Sequence, residues 1–346
     1  MTGTAGGYQP YYPAPPQFHA FQPGIIPLRP LNLSDIFNGA FGYIRANPKT
    51  TLGLTTIVVL ASQLLSFALQ VWPLASGGAL DPAGITGQYD DAALLAGSVI
   101  GSLAGALATW IAAILLSGML TVIIGRAVFG AGITAGEAWQ RLRPRLLPLL
   151  GVTALETLGV GLLVAAVAGV IAVVAIALNG WIALFVGIPL VLGMIVALAF
   201  VFTKLSFTPT LVVLERLPVI TAIERSFALV RHDFWRVFGI RLLAMLVAGM
   251  IAGAVSVPFT IGGQVLIGMA GPDGSGAIFI GLVLTTVGAA IGQILTAPFT
   301  AGVVVLQYTD RRIRAEAFDL VLQTGAGYAP AAPDNSTDHL WLTRHP

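Results

Sequence analysis

Six long apolar stretches constrain this chain more than any other feature. They run over about residues 51–75, 93–125, 146–178, 181–214, 237–262 and 277–306, and each exceeds the ~20 residues that carry a helix across ~30 Å of hydrocarbon. With 56% hydrophobic and only 9% charged residues, the chain cannot cover a water-facing surface with polar groups. Within lipid every backbone N–H and C=O must find its partner inside its own segment, which selects helices. The expected fold is therefore all-α, a polytopic membrane protein with six transmembrane helices. The stretches starting at 93, 146 and 181 hold 33 or 34 residues. That is too long for one perpendicular crossing and too short for two crossings with a turn, so tilt or protrusion must absorb the excess. Pro209, Pro258 and Pro298 fall near stretch ends, where neighbouring groups can satisfy the carbonyls that proline frees.

The charges set the expected orientation. When six spans are drawn, all 17 Lys and Arg residues fall on one side, and the opposite loops carry only Asp81, Asp90, Asp91 and Asp273. Because Lys and Arg are retained on the inner side, both termini and the two basic loops are expected in the cytoplasm, with the chain in the cell (plasma) membrane. Residues 1–30 are rich in Pro, Tyr and Gly and lack a basic, apolar signal-peptide start. They are expected to be a disordered tail, followed by a membrane domain over 31–322 and a second disordered tail over 323–346.

An internal repeat follows from alignment on Gly53, Gly151 and Gly239 at the entrances of the odd-numbered spans. Eight residues before them stand Arg45, Arg143 and Arg231; nine before, Ile44, Leu142 and Val230; twelve before, Phe41, Trp139 and Phe227; thirteen before, Ala40, Ala138 and Ser226. The expected unit is an amphipathic helix followed by a membrane hairpin, present three times in parallel. Thr134 with Glu137, and Thr221 with Glu224, have the spacing of a capping box. In the third unit, Ile220, Ile223, Phe227, Val230, Phe234 and Val237 form the expected apolar stripe. Helices of this type lie in the membrane interface with arginines near headgroup phosphates. Arg45, Arg143 and Arg231 are accordingly candidates for a collar that holds anionic lipid.

Two terminal stretches carry a resemblance. Leu28-Arg29-Pro30-Leu31 through Asp35-Ile36-Phe37-Asn38-Gly39-Ala40-Phe41, and Tyr308-Thr309-Asp310-Arg311-Arg312-Ile313-Arg314-Ala315-Glu316-Ala317-Phe318, resemble the opening and closing signatures of the actinobacterial glycerophosphoryl diester phosphodiesterase membrane-domain-like family. Ala222-Ile223-Glu224-Arg225-Ser226-Phe227 is similar to that family's inner-loop pattern, and the tail is similar to that of mycobacterial proline- and glycine-rich transmembrane proteins. The resemblance implies a fold and a membrane location. The phosphodiesterase chemistry of the family name belongs to a separate soluble barrel with histidines and carboxylates on a metal, and no stretch of this chain accommodates it.

Few residues are candidates for function. Glu156 is the one acidic residue deep in a span, and Lys204 lies at nearly the same count from the Asn179-Gly180 turn. At 1.5 Å per residue both sit ~35 Å from that turn, so the pair is expected to form a structural salt bridge or to snorkel at the cytoplasmic edge. Gln63 and Gln293 fall mid-span, where an unpaired amide costs several kcal/mol; they are expected to bond to each other or to neighbouring helices. Ala93, Gly97, Gly101, Gly105, Thr109, Ala113 and Ser117 make a small-residue seam for close helix contact. The absence of cysteine excludes disulfides and thiolate chemistry, and His19, His232, His339 and His345 lack ligand spacing. The chain shows no phosphate-binding glycine loop or nucleophile motif. Neither metal, cofactor nor nucleic acid is expected; the expected partners are membrane lipids, anionic ones among them, and other membrane proteins. The function expected is a non-enzymatic one in scaffolding, assembly or regulation of membrane partners. The alternative is a transporter or lipid-handling protein.

Overall fold

The computed structural model describes residues 24–27, 29–76, 91–270, 274–316 and 341–342. The loops that carry Asp81, Asp90 and Asp273, together with Arg344 and most of both expected tails, lie outside the described residues. Every regular element among the described residues is helical: α1 (Leu33–Ala46), α2 (Pro48–Ser76), α3 (Asp91–Ala127), α4 (Ala135–Leu142), a single 3-10 turn (Arg143–Arg145), α5 (Leu146–Ala177), α6 (Gly180–Leu205), α7 (Thr208–Leu214), α8 (Val219–Val230), α9 (Phe234–Gly268) and α10 (Ser275–Glu316). Six segments, centred on α2, α3, α5, α6, α9 and α10, are long and apolar enough to cross a membrane. The chain is a polytopic membrane protein with six spanning helices.

The excess length of the fourth apolar stretch has a specific resolution. It breaks at Ser206-Phe207, and Pro209 sits in the first turn of the separate helix α7. A proline there lacks an N–H that would be unpaired anyway, so it starts a helix without cost. Thr208 and Thr210 to Leu214 are all buried, so α7 is covered by protein instead of extending the crossing. Pro258 and Pro298 lie inside α9 and α10, which run on past the apolar stretches, instead of near their ends.

Three short helices, α1, α4 and α8, precede α2, α5 and α9 at the end of the molecule that carries the arginines, called here the basic end. Each is separated from its long helix by a break: at Asn47, over Arg143–Arg145, and over 231–233. Capping explains where they start. Asn32 and Asp35 form a reciprocal capping box on α1, and Thr134 and Glu137 form one on α4. The box expected at Thr221 and Glu224 is not formed: Pro218 holds the N-cap position, α8 begins at Val219, and Thr221 is already helical. The buried face of α8 also differs from the expected stripe. Ala222, Ser226, Leu229 and Val230 face inward, while Ile220 is 72% exposed, because small side chains let this helix lie close to the bundle. Ile220 and Phe227 are left on the outside.

Within the bundle, α10 packs against α9, α2, α3 and α1, and α2 pairs with α3. Within the small-residue seam of α3, Gly101 and Gly105 are buried while Ala113 and Ser117 are exposed, and Gly105 serves the α2–α3 contact inside the chain. A Cβ on Gly105 would stand 2.7 Å from Ser66 Oγ and 3.2 Å from Ser66 O, so a larger residue would make the Ser66 side chain and backbone give way. Likewise a Cβ on Gly302 of α10 would stand 2.8 Å from Tyr43 Cε1 of α1. The Tyr43 hydroxyl donates to the Pro298 carbonyl, and Phe41 stacks on Phe299 at 4.9 Å. Helix α3 is stopped by Gly130 just beyond its end, φ 74°, where Gly130 N–H bonds to Ala127 O and Ala131 N–H to Arg126 O, the two bonds of a Schellman stop. The α5–α6 hairpin stands apart. Of its residues only Leu149 and Val152 on α5, and Ala183, Gly187, Thr203 and Lys204 on α6, are buried.

Candidate functional site

The last turns of α10 continue the helix beyond the apolar stretch, from Gln307 to Glu316, and bring its charges into the protein at the basic end. Asp310 is fully buried. Its Oδ1 accepts from Leu31 N–H at 2.8 Å and from Arg314 Nε at 2.8 Å, and Arg236 lies 3.4 Å from Oδ2. The two arginines close the circuit on the Leu31 carbonyl, at 2.7 Å from Arg236 and 2.9 Å from Arg314. Both backbone polar groups of Leu31 are thus held by charged side chains, joining the segment before α1 to α9 and α10. A buried carboxylate is tolerable only with such pairing.

A second cluster surrounds Glu215, in the α7–α8 link and also fully buried as a side chain. It accepts from the Tyr308 hydroxyl at 2.5 Å, and its oxygens lie 2.6 Å from Arg225 Nε and 3.6 Å from Arg312 Nε. Arg225 and Arg312 both reach Glu316, at 2.6 and 3.0 Å. The four charges therefore alternate around a ring. Nearby, Arg311 pairs with Asp233 and donates to Leu229 O at 3.3 Å. Trp341 is buried beside this ring: its carbonyl accepts from Arg312 at 3.0 Å and its ring lies 5.5 Å from Phe129 and 6.1 Å from Tyr308. With every acid of these clusters matched by base, the arrangement fastens helix ends together.

The residues singled out from the sequence are distributed differently. Gln63 Nε2 donates to Gln293 Oε1 at 3.3 Å, which links α2 to α10 in mid-membrane. Glu156 and Lys204 are not joined: no ion pair connects them among the described residues. The cation whose field reaches Glu156 is Arg241 of α9. Lys204 is instead buried, its Nζ 5.7 Å from the centre of the Phe200 ring and 5.9 Å from that of Phe227. Equal depth from the hairpin turn fixes height but not direction around the helix. The last turn of α6 faces α8, where Ser226 Oγ donates to Lys204 O at 2.6 Å and accepts from Phe207 N–H at 3.3 Å. Arg45, Arg143 and Arg231 are all exposed at the basic end and form no ion pair among the described residues.

Asp310, Glu215 and Arg236 are not among the candidates that the sequence singles out, because their stretches serve there as markers of orientation. The available signal was the acids themselves. In a chain with 15 Asp and Glu residues, a carboxylate placed directly beside an arginine at a span's end, as in Glu215-Arg216 and Asp310-Arg311, is there to be paired. A cavity of about 670 Å³ also opens at the basic end between α2, α3 and α4, with Arg126 and Arg141 among its walls. No group of His, Asp or Glu that could hold a metal occurs among the described residues.

Comparison with known proteins adds a family and no activity. No curated protein and no solved structure matches the chain. Residues 31–310, which include both buried carboxylates and every span, match the family described as a domain of unknown function, DUF7847; the chain is a member of that family.

Proposed function

We propose that this protein is a non-enzymatic assembly factor of the cell membrane that receives the membrane helices of a partner protein on its α5–α6 hairpin. The observation that carries this reading is how little the hairpin touches. Val173 and Ile176 of α5 are 64% and 87% exposed, and Phe185 and Val196 of α6 are 77% and 69% exposed. Beyond the bond from Trp110 Nε1 to Thr157 Oγ1, 3.2 Å, the outer part of α5 packs on α6. Gly159, Gly161 and Gly169 on α5 and Gly193 on α6 have open space where a Cβ would stand. Glycines on a lipid-facing surface weaken a helix without serving its own fold, and small residues are what lets membrane helices approach closely.

The reading includes three parallel repeats with both termini in the cytoplasm. In support, the breaks lie six to eight residues before Gly53, Gly151 and Gly239. Ala40, Ala138 and Ser226 are each fully buried, and Phe41, Trp139 and Phe227 are 37%, 40% and 38% exposed. It also includes the kinship to phosphodiesterase membrane domains and the collar of Arg45, Arg143 and Arg231 on anionic lipid.

A chain without cysteine suits the test. Single cysteines at Val173 and Ile195, cross-linked in native membranes, should give adducts of one discrete mass with another protein, and a cysteine at Leu103 on α3 should not. No adduct from any position on α5 or α6 overturns the assignment. Impermeant labelling of single cysteines on intact cells should fail at 140 and 230 and succeed at 85; labelling at 140 overturns the orientation.

A further inference from the structure

We infer that the cavity between α2, α3 and α4 is a binding site for a phosphate group, borne by a membrane lipid or by a free phosphate ester. The cavity holds about 670 Å³, within the range of sites for small molecules and well above what water alone occupies. Its position follows from its walls. Asn47 and Thr50 stand at the start of the first membrane helix, Arg126 in the last turn of the second, and Gln140 and Arg141 on α4. It therefore opens at the level where the spans leave the hydrocarbon, within reach of headgroups and of water.

The chemistry of the walls points to an anion with polar substituents. Arg126 is only 5% exposed, an expensive position for a cation unless anions or carbonyls meet it. Arg141 approaches from α4, so two guanidiniums converge on one space. A guanidinium carries five N–H donors, enough to hold a ligand while keeping its contacts within the protein. The single carboxylate in the wall, Glu137, has its Oε2 on Thr134 N–H at 3.1 Å and its N–H capped by Thr134 Oγ1 at 3.3 Å; the charges of Arg141 and Arg126 reach it as well, which leaves the wall with two cations to one anion. The remaining polar groups, the amides of Asn47 and Gln140 and the hydroxyl of Thr50, can donate to or accept from an ester's substituent. Guanidinium pairs match phosphate oxygens better than any other side-chain combination. None of these residues belongs to the α5–α6 hairpin, so this site stands or falls independently of the assembly role.

The test uses the purified full chain in two settings. In neutral detergent, thermal unfolding is followed against inorganic phosphate at constant ionic strength. In nanodiscs, it is followed as phosphatidylglycerol replaces phosphatidylcholine. A saturable rise in unfolding temperature is expected in at least one arm, the detergent arm identifying a free phosphate and the nanodisc arm a lipid headgroup. Arg141→Gln should weaken the response about tenfold or more, the value of a lost charge-assisted hydrogen bond. Gln140→Trp, which fills the cavity from an exposed position and removes no charge, should weaken it as well. Arg29→Gln, an arginine elsewhere on the basic end with its side chain 51% exposed, should leave it intact. No saturable response in either arm overturns the proposal. So does a response lowered equally by Arg29→Gln, since that is surface charge and not a site.

Discussion

Replacing Asp310 separates a structural charge from a decorative one, and its cost can be worked from the contacts. In Asp310→Ala the buried Leu31 N–H loses its acceptor, which costs ~1–3 kcal/mol. The ion pairs with Arg236 and Arg314 are lost too, but these side chains are 36% and 33% exposed and stay partly hydrated. Each pair is therefore discounted to about 0.2–1 kcal/mol. The expected total is roughly 1.4–5 kcal/mol. Asp310→Asn keeps an amide oxygen for Leu31 N–H and loses only the charge, so it should cost about 0.4–2 kcal/mol. Unfolding of the purified chain in mixed detergent micelles gives both values, and hydrogen exchange at Leu31 gives the local one. Protection at Leu31 should fall in the alanine variant and persist in the asparagine variant. Equal costs for the two, or a cost below ~1 kcal/mol for alanine, would refute the claim that Asp310 acts through the Leu31 backbone.

Three further outcomes follow from contacts at other depths. Gln63→Ala and Gln293→Ala should be non-additive in mid-membrane, with a coupling of about 0.6 kcal/mol in a double-mutant cycle; strict additivity means that the 3.3 Å bond contributes nothing. Gly302→Ala places a Cβ 2.8 Å from Tyr43 Cε1 and 3.0 Å from Ala40 Cβ and should cost ~1–3 kcal/mol by overpacking, with Tyr43→Leu partly restoring the unfolding temperature; no loss would mean that α1 can shift freely on α10. Trp341→Ala should remove its packing on Phe129 and Tyr308, at a cost approaching the ~3–5 kcal/mol of a buried tryptophan; an unchanged unfolding temperature would mean that this packing contributes nothing.

What the sequence made legible was whatever depends on a residue's count along a helix. Apolar length revealed six spans, and the seam of α3 announced close contact, which Gly105 makes with Ser66. Relations that depend on direction around a helix were not legible. Glu156 and Lys204 stand at matching counts yet look at different neighbours, Arg241 and Phe227. The fourth stretch read as one span because α7 is as apolar as a membrane helix; its residues are buried by protein, and composition does not distinguish lipid from protein as the apolar surroundings. The charged end of α10 was read for the side of the membrane it marks. Positive-inside reasoning counts Lys and Arg without asking what each one touches, so the acids that bind them went unweighed.

The charged end of α10 also accounts for why one hairpin is left bare. Asp310 draws the segment before α1 and the first turn of α9 onto α10 through Leu31 and Arg236, and Arg311 adds the α8–α9 link through Leu229 and Asp233. The α2–α3 hairpin joins the same post through α1, which packs on α2 and α3, and through the Gln63–Gln293 bond, and α10 meets both α2 and α3. In the middle hairpin, no ion pair among the described residues joins α5 or α6 themselves to α10; the end of α6 is held by Ser226 Oγ, which donates to Lys204 O at 2.6 Å. The hairpin's start is held by apolar packing, where Leu142 and Leu149 fit so closely on α3 that a Cβ on Gly118 would stand 2.7 and 2.9 Å from them, and by the bond from Arg145 to Arg216 O at 3.1 Å. These contacts lie at the basic end, so α5 and α6 are anchored there, and beyond the Trp110–Thr157 bond their residues are left largely unburied. If this account is right, Leu142→Ala, which opens the packed joint, should raise proteolysis or labelling of α5 and α6 while Tyr43 stays buried and the Asp310 contacts persist. Simultaneous loosening of all six helices would instead mean that the middle hairpin is integral to the core, and the charge post would then not explain its exposure.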